Sequence, residues 1–305
     1  MSNKLILKGF HWNRNQIEER KLTYLNLNLT NSCDYSCLYC YVGDDLNKKI
    51  EELSTDERKG LIRVAKDLGV RTIVFTGAGE PTLSEDFYRL IKFNDSQGLH
   101  NVVFSNIYRL DNKGIIKFLR NHNTSIVIKI DSLNAKHYDL MTQRRGAFSK
   151  FYNNIMAILE SYRGTVIEKG DITITPLGAN AVVTDINKND IEEVANFCRQ
   201  HHIKFNARRI SRLGCAIKNW SLLAKNYDDI TSLCSTYNDE VGQSKFFNGK
   251  CGIFFYGITI DCDGTILGCP EARNIKLGNI RNLSLEEIVQ HIQKLPYKCM
   301  KEALR

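Results

Sequence analysis

The stretch "TYLNLNLTNSCDYSCLYC" (residues 23–40) carries the two patterns that decide the fold. Its first half alternates apolar and polar residues with a period of two, which indicates a β-strand. Its second half places Cys33, Cys37 and Cys40 in a C-x3-C-x2-C spacing, with the aromatic Tyr39 directly before the last cysteine. A strand that leads straight into a loop with three thiols predicts a metal or redox site at the end of that strand.

Apolar β-branched runs and amphipathic stretches alternate after this first strand, and a helical pattern lies between each successive pair of strands. The further predicted strands are residues 70–77, 101–106, 125–132, 171–184 and 204–210. Strict alternation predicts βαβ units and a parallel sheet. Six units favour an open barrel, because a closed TIM-type barrel has eight. We therefore predict an α/β fold with a partial (β/α)6 TIM-type barrel, and the cysteine loop lies at its functional end.

The pattern changes after about residue 212. The segment "GIFFYGITIDCDGTILGC" (residues 252–269) predicts two strands joined by a turn at Asp263-Gly264. A helix follows, opened by Ser284 and Glu287 in capping-box spacing. The predicted organisation is an N-terminal extension (1–21), a barrel (22–212) and a small C-terminal β-hairpin plus helix domain (213–305).

Composition limits the class of protein. Of the 305 residues, 43% are hydrophobic and 25% are charged, as in ordinary soluble proteins. No apolar run reaches the roughly 18 residues that a membrane-spanning helix needs, and the first residues lack the pattern of a secretory signal. We therefore expect a cytoplasmic protein with no membrane partner. The formal charge of +8 is scattered; it permits an anionic substrate but is typical of a solvated basic surface.

Ten cysteines in a chain without a secretory signal favour metal binding or redox chemistry over disulfides. Zinc sites on short loops usually use C-x2-C pairs matched by a second pair, and the triad does not follow that habit. Three thiolates from one loop suit three corners of a [4Fe–4S] cluster, which leaves the fourth iron without a protein ligand. A zinc site and three unrelated buried cysteines stay open as alternatives.

The triad resembles the signature of the radical S-adenosylmethionine (radical SAM) enzymes, C-x3-C-x-aromatic-C in the loop after the first strand of a partial barrel. The resemblance implies that Cys33, Cys37 and Cys40 hold a [4Fe–4S] cluster whose fourth iron binds S-adenosylmethionine. It further implies reductive cleavage of S-adenosylmethionine to a 5′-deoxyadenosyl radical, which abstracts a hydrogen atom from the substrate. A flavodoxin- or ferredoxin-type electron donor is the implied partner.

A second motif, "FTGAGEPTL" (residues 75–83), follows the second strand and resembles the G-G-E-P motif that holds the methionyl amino group in this family. Ala78 in its middle is a departure from that motif. The resemblance assigns cofactor contacts to residues at the ends of further strands, and Lys129 stands where several relatives carry serine. Arg144 or Arg145 would pair with the methionyl carboxylate. The assigned cofactor-binding residues are Tyr39, Gly77, Gly79, Glu80, Ser105, Asn106, Asp131, Ser132 and Arg144.

Cys251, Gly264 and Cys269 are spaced C-x12-G-x4-C across the predicted hairpin. This pattern resembles the auxiliary-cluster domain called SPASM in its full form and Twitch in its shortened form. The shortened form, with one auxiliary [4Fe–4S] cluster, fits because no run of paired cysteines follows. The implied ligands are Cys251, Cys269 and Cys299, with Cys262 or an open iron as the fourth position. A zinc site or buried hairpin cysteines remain the alternatives. Cys215 follows the sixth strand and is either a hydrogen-atom donor to a substrate radical or a thiol that only packs.

The function that follows is a radical SAM oxidoreductase or maturase that modifies a peptide, a protein side chain or a small metabolite, assisted by the auxiliary cluster. About 20 residues precede the first strand, which lowers the expectation of a built-in peptide-recognition domain. One alternative is an epimerase or dehydrogenase of a sugar-type molecule with Cys215 as hydrogen donor. Another is a zinc-binding interaction protein without catalysis. Nucleic acid is not an expected partner, because no RNA-binding pattern is visible.

Overall fold

The computed structural model describes residues 4–10, 22–237, 257–268 and 273–294. Cys251, Cys269 and Cys299, three predicted ligands of the auxiliary cluster, lie outside the described residues. The strands are β1 (Lys4–Leu7), β2 (Tyr24–Asn28), β3 (Thr72–Thr76), β4 (His100–Ser105), β5 (Thr124–Lys129), β6 (Ile167–Lys169), β7 (Ile172–Thr175), β8 (Leu177–Val183), β9 (Lys204–Arg209), β10 (Ile258–Ile260), β11 (Thr265–Leu267) and β12 (Lys276–Asn279).

The helices follow the predicted alternation with the strands. They are α1 (Thr55–Asp67), α2 (Phe87–Ser96), α3 (Lys113–Asn121), α4 (Ala135–Thr142), α5 (Ala147–Ser161), α6 (Ile191–Gln200), α7 (Cys215–Lys218), α8 (Trp220–Leu223), α9 (Tyr227–Tyr237) and α10 (Leu285–Lys294). Local sequence sets their ends: Ser54 and Glu57 form a capping box at the start of α1. Within the described ranges, no helix combines the length and apolar character required to cross a membrane.

Among the described residues, the main sheet has nine strands in the order β12-β11-β10-β2-β3-β4-β5-β8-β9. From β2 to β9 every neighbouring pair is parallel, as the βαβ alternation predicts. These six strands are the predicted barrel strands, and over the part of the chain that the structure describes the sheet stays open, with β9 and β12 as its outer strands. The predicted α/β fold with a partial barrel is confirmed.

The predicted strand 171–184 divides at Pro176 into two strands that belong to different sheets. β8 continues the barrel beside β5, whereas β7 lies between β1 and β6 in a separate three-stranded sheet. Proline lacks a backbone N–H and fixes its own φ, so it interrupts a strand's hydrogen-bond ladder. The N-terminal strand β1 thereby pairs with a segment more than 160 positions away, Lys4 standing opposite Ile172.

The C-terminal hairpin joins the barrel sheet. β10 and β11 are antiparallel, as the Asp263-Gly264 turn predicts. β10 also runs parallel to β2, and Ile258 stands opposite Leu25. The end of β10 therefore lies beside the ends of the barrel strands, where the cysteine loop begins. The domain boundary at residue 212 stays a prediction.

Apolar packing fills both faces of the sheet. The outward residues of the strands pack with the helices in one large core that includes Leu25, Ile73 and Ile126. On the inward face, a smaller cluster includes Val74 and Val127. Because side chains alternate along a strand, residues two positions further, such as Thr76 and Lys129, share this inward face at the carboxyl ends. The interior thus changes from apolar to polar toward the end that carries the cysteine loop.

Candidate active site

The cysteine loop follows β2 directly and is held by contacts with several neighbouring segments. The side chain of Asn31 donates to the carbonyls of Asp45 at 2.9 Å and of Lys48 at 2.7 Å, which closes the loop on itself. The backbone N–H groups of Ser36 and Leu38 donate to carbonyls at the end of α4, at 3.2 and 3.0 Å. The loop is therefore held by contacts within itself and by contacts with the end of α4, without the help of a ligand.

The three thiols are partly buried, and N–H groups point at two of them. The Tyr35 N–H donates to Cys33 Sγ at 3.5 Å, and the Asn106 side-chain amide lies 3.9 Å from the same sulfur. Burial raises the pKa of Cys33 and of Cys37 to about 12. It also raises the pKa of Cys40, against backbone hydrogen bonds from Val42 and Gly43. Buried thiols of this kind are deprotonated only when a metal centre compensates the charge.

The chemistry of the three thiols suits an iron–sulfur cluster. Within the part of the chain that the structure describes, no group of three His, Cys, Asp or Glu side chains stands close enough to hold one metal ion. A cubane takes one thiolate at each of three irons, so its ligands do not converge on one point. Hydrogen bonds to the sulfurs are also a feature of iron–sulfur sites. The residues present therefore fit a [4Fe–4S] cluster.

The loop after β3 packs directly on the cysteine loop. The Glu80 N–H donates to the Ser32 carbonyl at 2.8 Å, and the Tyr41 hydroxyl donates to the Gly77 carbonyl. Tyr41 is a positioning contact that sequence reasoning missed, because a tyrosine after the triad has no distinctive local pattern. The two motifs that the sequence singled out are thus adjacent.

Glu80 is almost completely buried, and its carboxylate accepts hydrogen bonds from other groups of the protein. It accepts hydrogen bonds from Ser105 Oγ at 2.8 Å, the Asn106 N–H at 2.8 Å and Thr82 Oγ1 at 2.8 Å. Burial raises the pKa of Glu80, and these hydrogen bonds oppose the rise. Ser105 and Asn106, both predicted cofactor contacts, thus tie the end of β4 to the loop after β3. A direct contact of these side chains with the cofactor stays a prediction.

Gly79 has no room for a side chain, and we expect Gly79→Ala to weaken S-adenosylmethionine binding about tenfold or more. A Cβ at this position would lie 2.2 Å from the Ser32 carbonyl oxygen. Overpacking of this kind costs about 1–3 kcal/mol, and here it separates the two loops of the site. Equilibrium dialysis of S-adenosylmethionine with the reconstituted protein measures the effect.

Gly60→Ala is the matched control, because nothing lies within 4 Å of a Cβ built at Gly60. Alanine is also the better helix residue at that position in α1, by roughly 0.5–1 kcal/mol. Wild-type affinity in Gly79→Ala would show that the close approach of the two loops does not support the site.

Lys129, at the end of β5, lies against the cysteine loop. Its Nζ forms an ion pair with Asp131, which also accepts from the Tyr39 hydroxyl. The ammonium lies 5.6 Å from the ring centre of Tyr39 and 4.8 Å from that of Tyr138. Asp131 additionally accepts from the Val182 N–H at 2.9 Å. Asp131 and Tyr39 therefore join the loop, β5 and β8, and any contact of theirs with the cofactor stays a prediction.

Two further predicted cofactor residues make protein contacts. Ser132 is fully buried and donates to Asp190, which also contacts His137 Nδ1 at 2.7 Å. Arg144 donates to the Asp34 carbonyl at 2.7 Å and to the Tyr108 hydroxyl at 2.8 Å. The Arg144 guanidinium thus holds the cysteine loop, and its pairing with the methionyl carboxylate stays a prediction.

Two remaining cysteines lie near the site. The Cys215 N–H donates to the Cys40 carbonyl at 2.8 Å, which places the start of α7 against the cysteine loop. Gly214 makes this approach possible, because its φ is +53° and a Cβ there would meet the Cys40 carbonyl oxygen at 2.3 Å. Cys262 lies in the hairpin turn and is fully buried, and burial raises its pKa to about 12. Its role as a cluster ligand stays a prediction.

The comparison with protein families decides the superfamily. The model of the Radical SAM superfamily matches residues 27–198, which is more than half of the chain. The chain belongs to the radical SAM superfamily. A second model, the SPASM iron-sulfur cluster-binding domain, matches residues 251–301. Membership implies a [4Fe–4S] cluster and S-adenosylmethionine as cofactors, and the second match implies auxiliary iron–sulfur binding.

Relatives of this radical SAM protein include cyclases and a maturation protein. A probable GTP 3′,8-cyclase of Methanothermobacter marburgensis is 28% identical over 184 residues, which covers 59% of this chain and 55% of the cyclase. The chain thus spans about half the length of this relative. The sporulation killing factor maturation protein SkfB of Bacillus subtilis is 23% identical over 286 residues, covering 90% of this chain and 66% of SkfB.

Among solved structures, Streptococcus suis SuiB bound to S-adenosylmethionine superposes with a TM-score of 0.62 at 17% identity. The match covers 93% of this chain and 69% of SuiB. SuiB has also been solved bound to the precursor peptide SuiA. At this level of identity the likeness shows the fold alone.

Proposed function

We propose that this radical SAM enzyme is a maturase that oxidises or otherwise modifies a side chain of a peptide or protein. The observation that carries the proposal is the extent of the match with SkfB, which covers 90% of this chain. The match with the cyclase covers 59%. A relative that shares nearly the whole chain is a better guide to the substrate than one that shares only part of it.

When bound, the cluster and S-adenosylmethionine supply reductive cleavage of the cofactor and, from it, a carbon radical able to remove a hydrogen atom. The chain's part is to bind and orient. Cys33, Cys37 and Cys40 would hold the cluster, and the loop from Gly77 to Glu80 would hold the methionyl end. A further task of the protein in such an enzyme is to keep water away from the radical, which prevents side reactions.

A peptide substrate is also consistent with the fold. SuiB, which shares this fold, binds a precursor peptide. In this proposal the auxiliary cluster of the C-terminal region accepts an electron from the substrate or orients it. A flavodoxin- or ferredoxin-type protein supplies the electron to the first cluster.

The proposal is tested by co-expressing the enzyme with short peptides encoded beside its gene, followed by mass spectrometry of the peptides in light and heavy water. We expect one peptide to lose hydrogen in an oxidation or cross-link, and the Cys37→Ala enzyme to leave it unmodified. Absence of any modified peptide, together with turnover of a small metabolite by the purified enzyme, would contradict the maturase proposal.

Epimerisation is the second candidate, favoured by one observation: Cys215 lies beside Cys40 at the active end of the barrel. A thiol there could return a hydrogen atom to a substrate radical. In heavy water, epimerisation would add deuterium to the substrate without a net loss of hydrogen. The Cys215→Ala variant would no longer epimerise the substrate. Oxidation that persists in Cys215→Ala would remove this candidate.

A further inference from the structure

Arg273 is fixed at the active end of the barrel by a network that crosses three strands. It precedes β12, and its Nη2 contacts the Asp261 carboxylate at the end of β10. Asp261 also accepts from Asn28 Nδ2 at 3.1 Å and from the Cys262 N–H at 3.0 Å. Asn28 in turn accepts from Thr76 Oγ1 at 2.8 Å. The guanidinium is therefore held at the carboxyl ends of β3, β2 and β10.

Two nitrogens of this guanidinium are buried without an acceptor. Nε and Nη1 of Arg273 have no hydrogen-bond partner in the part of the chain that the structure describes. The same is true of the hydroxyl of Thr259, which shares the inward face of β10 with Asp261 two residues further on. Buried donors almost always have a partner, and exceptions mark the place of a water, an ion or a ligand. Two separate observations thus indicate a missing polar partner on this face.

The neighbouring carboxylates do not supply that partner. Asp261 is already engaged, and Asp45 on the cysteine loop pairs with Lys48 at 2.8 Å. Asp261, which holds Arg273, also accepts from Asn28, the last residue of β2. The guanidinium therefore lies at the end of the strand that leads into the cysteine loop. Substrates of an open barrel bind at this end, so the two unpaired donors stand at the end of the barrel where a substrate binds.

We propose that Arg273 binds an oxyanion of the substrate, a carboxylate or a phosphate, at the ends of β2 and β10. Arginine suits this role because its planar guanidinium stays charged and offers several donors to one anion. Asp261 is the positioning residue that orients the guanidinium. The assignment of Arg273 depends on the proposed function in one respect: a substrate must be modified beside the cysteine loop.

The test is thermal unfolding of the reconstituted holoprotein with inorganic phosphate or with succinate, at constant ionic strength. Preferential binding to the folded state raises the melting temperature, by about 2–4 °C at roughly ten times the dissociation constant. We expect such a rise in the wild type with one of the two probes, and the probe that acts identifies phosphate or carboxylate as the preferred group. Arg273→Gln should remove the rise.

Arg281→Gln is the matched control, since Arg281 is partly exposed and pairs with Glu57 at 2.7 Å away from the cysteine loop. It should show the wild-type rise. If Arg273→Gln does not fold, Arg273→Lys replaces it; this variant keeps the charge but loses the planar fork, and at least half of the rise should disappear. No rise with either probe in the wild type, or an equal rise in the Arg273 variant, would overturn the proposal.

These outcomes separate the inference from the proposed function. Anion binding is read from unfolding and needs no turnover, whereas the maturase proposal is read from modified peptides. Loss of peptide modification with an intact anion effect would refute the maturase alone. Modified peptides without any anion effect would refute the role of Arg273 alone.

Discussion

Replacing Cys37 with alanine is expected to abolish cleavage of S-adenosylmethionine and to remove about four irons per chain. Cys37 is one of three thiols in a loop that is fixed on both sides, so its removal leaves the third corner of the cluster without its ligand. Burial would keep its thiol protonated in the absence of a metal centre. Iron and sulfide analysis of anaerobically reconstituted protein, with chromatography of 5′-deoxyadenosine, measures both effects.

Cys198→Ala is the matched control for this prediction. Cys198 is fully buried in α6, in the apolar core, and its removal deletes a sulfur without touching the cysteine loop. We expect it to keep the iron content and the cleavage activity of the wild type, with a modest loss of stability. Cleavage that persists in Cys37→Ala would contradict the assignment of the triad as the cluster site.

Arg58→Ala is expected to lower the free energy of unfolding by about 3–5 kcal/mol, the usual effect of removing one partner of a buried ion pair. The Arg58 side chain is 4% exposed and contacts Asp86 at 2.8 Å, and its Nη2 donates to the Leu29 carbonyl at 2.7 Å. Its loss leaves the buried Asp86 carboxylate with the exposed Arg89, whose Nη1 is 3.6 Å away, and it frees the Leu29 carbonyl just before the cysteine loop. Urea unfolding under anaerobic conditions gives the size of the change.

Lys113→Ala provides the comparison, because the Lys113–Glu160 pair is exposed, with side chains 83% and 66% accessible. Exposed pairs contribute about 0–1 kcal/mol, so the urea midpoint of this variant should stay near that of the wild type. Equal midpoints for the Arg58 and Lys113 variants would show that the buried pair is not a main source of stability.

Sequence patterns predicted the parts of the site that depend on local spacing. Hydrophobic periodicity predicts the six barrel strands, and the Asp-Gly pair predicts the hairpin turn. Fixed intervals between cysteines and between glycines locate the two motifs. Each of these signals lies within a short segment of the chain. The division at Pro176 shows what such patterns do not predict. A proline indicates that a strand is interrupted, but it does not indicate that β7 then pairs with β1, which precedes the barrel strands in the sequence.

The roles of individual polar side chains were harder to predict. Glu80, Ser105 and Asn106 are each predicted to contact the cofactor, and the structure shows in addition that they hydrogen-bond to one another. A motif predicts which residue type stands at a position in the sequence. The hydrogen-bond donors of a buried carboxylate depend on which groups the fold places beside it. Arg144 likewise reaches the Asp34 carbonyl and Tyr108.

The class of cofactor and the positions of the barrel strands could be predicted from the chain, because thiol spacing and hydrophobic period are local properties. The pairing of the C-terminal hairpin with β2 and the network of Asn28, Asp261 and Arg273 are visible in the folded structure alone. Those residues are more than 200 positions apart at the extremes. Their meeting depends on strand pairing between distant segments, which no local pattern specifies.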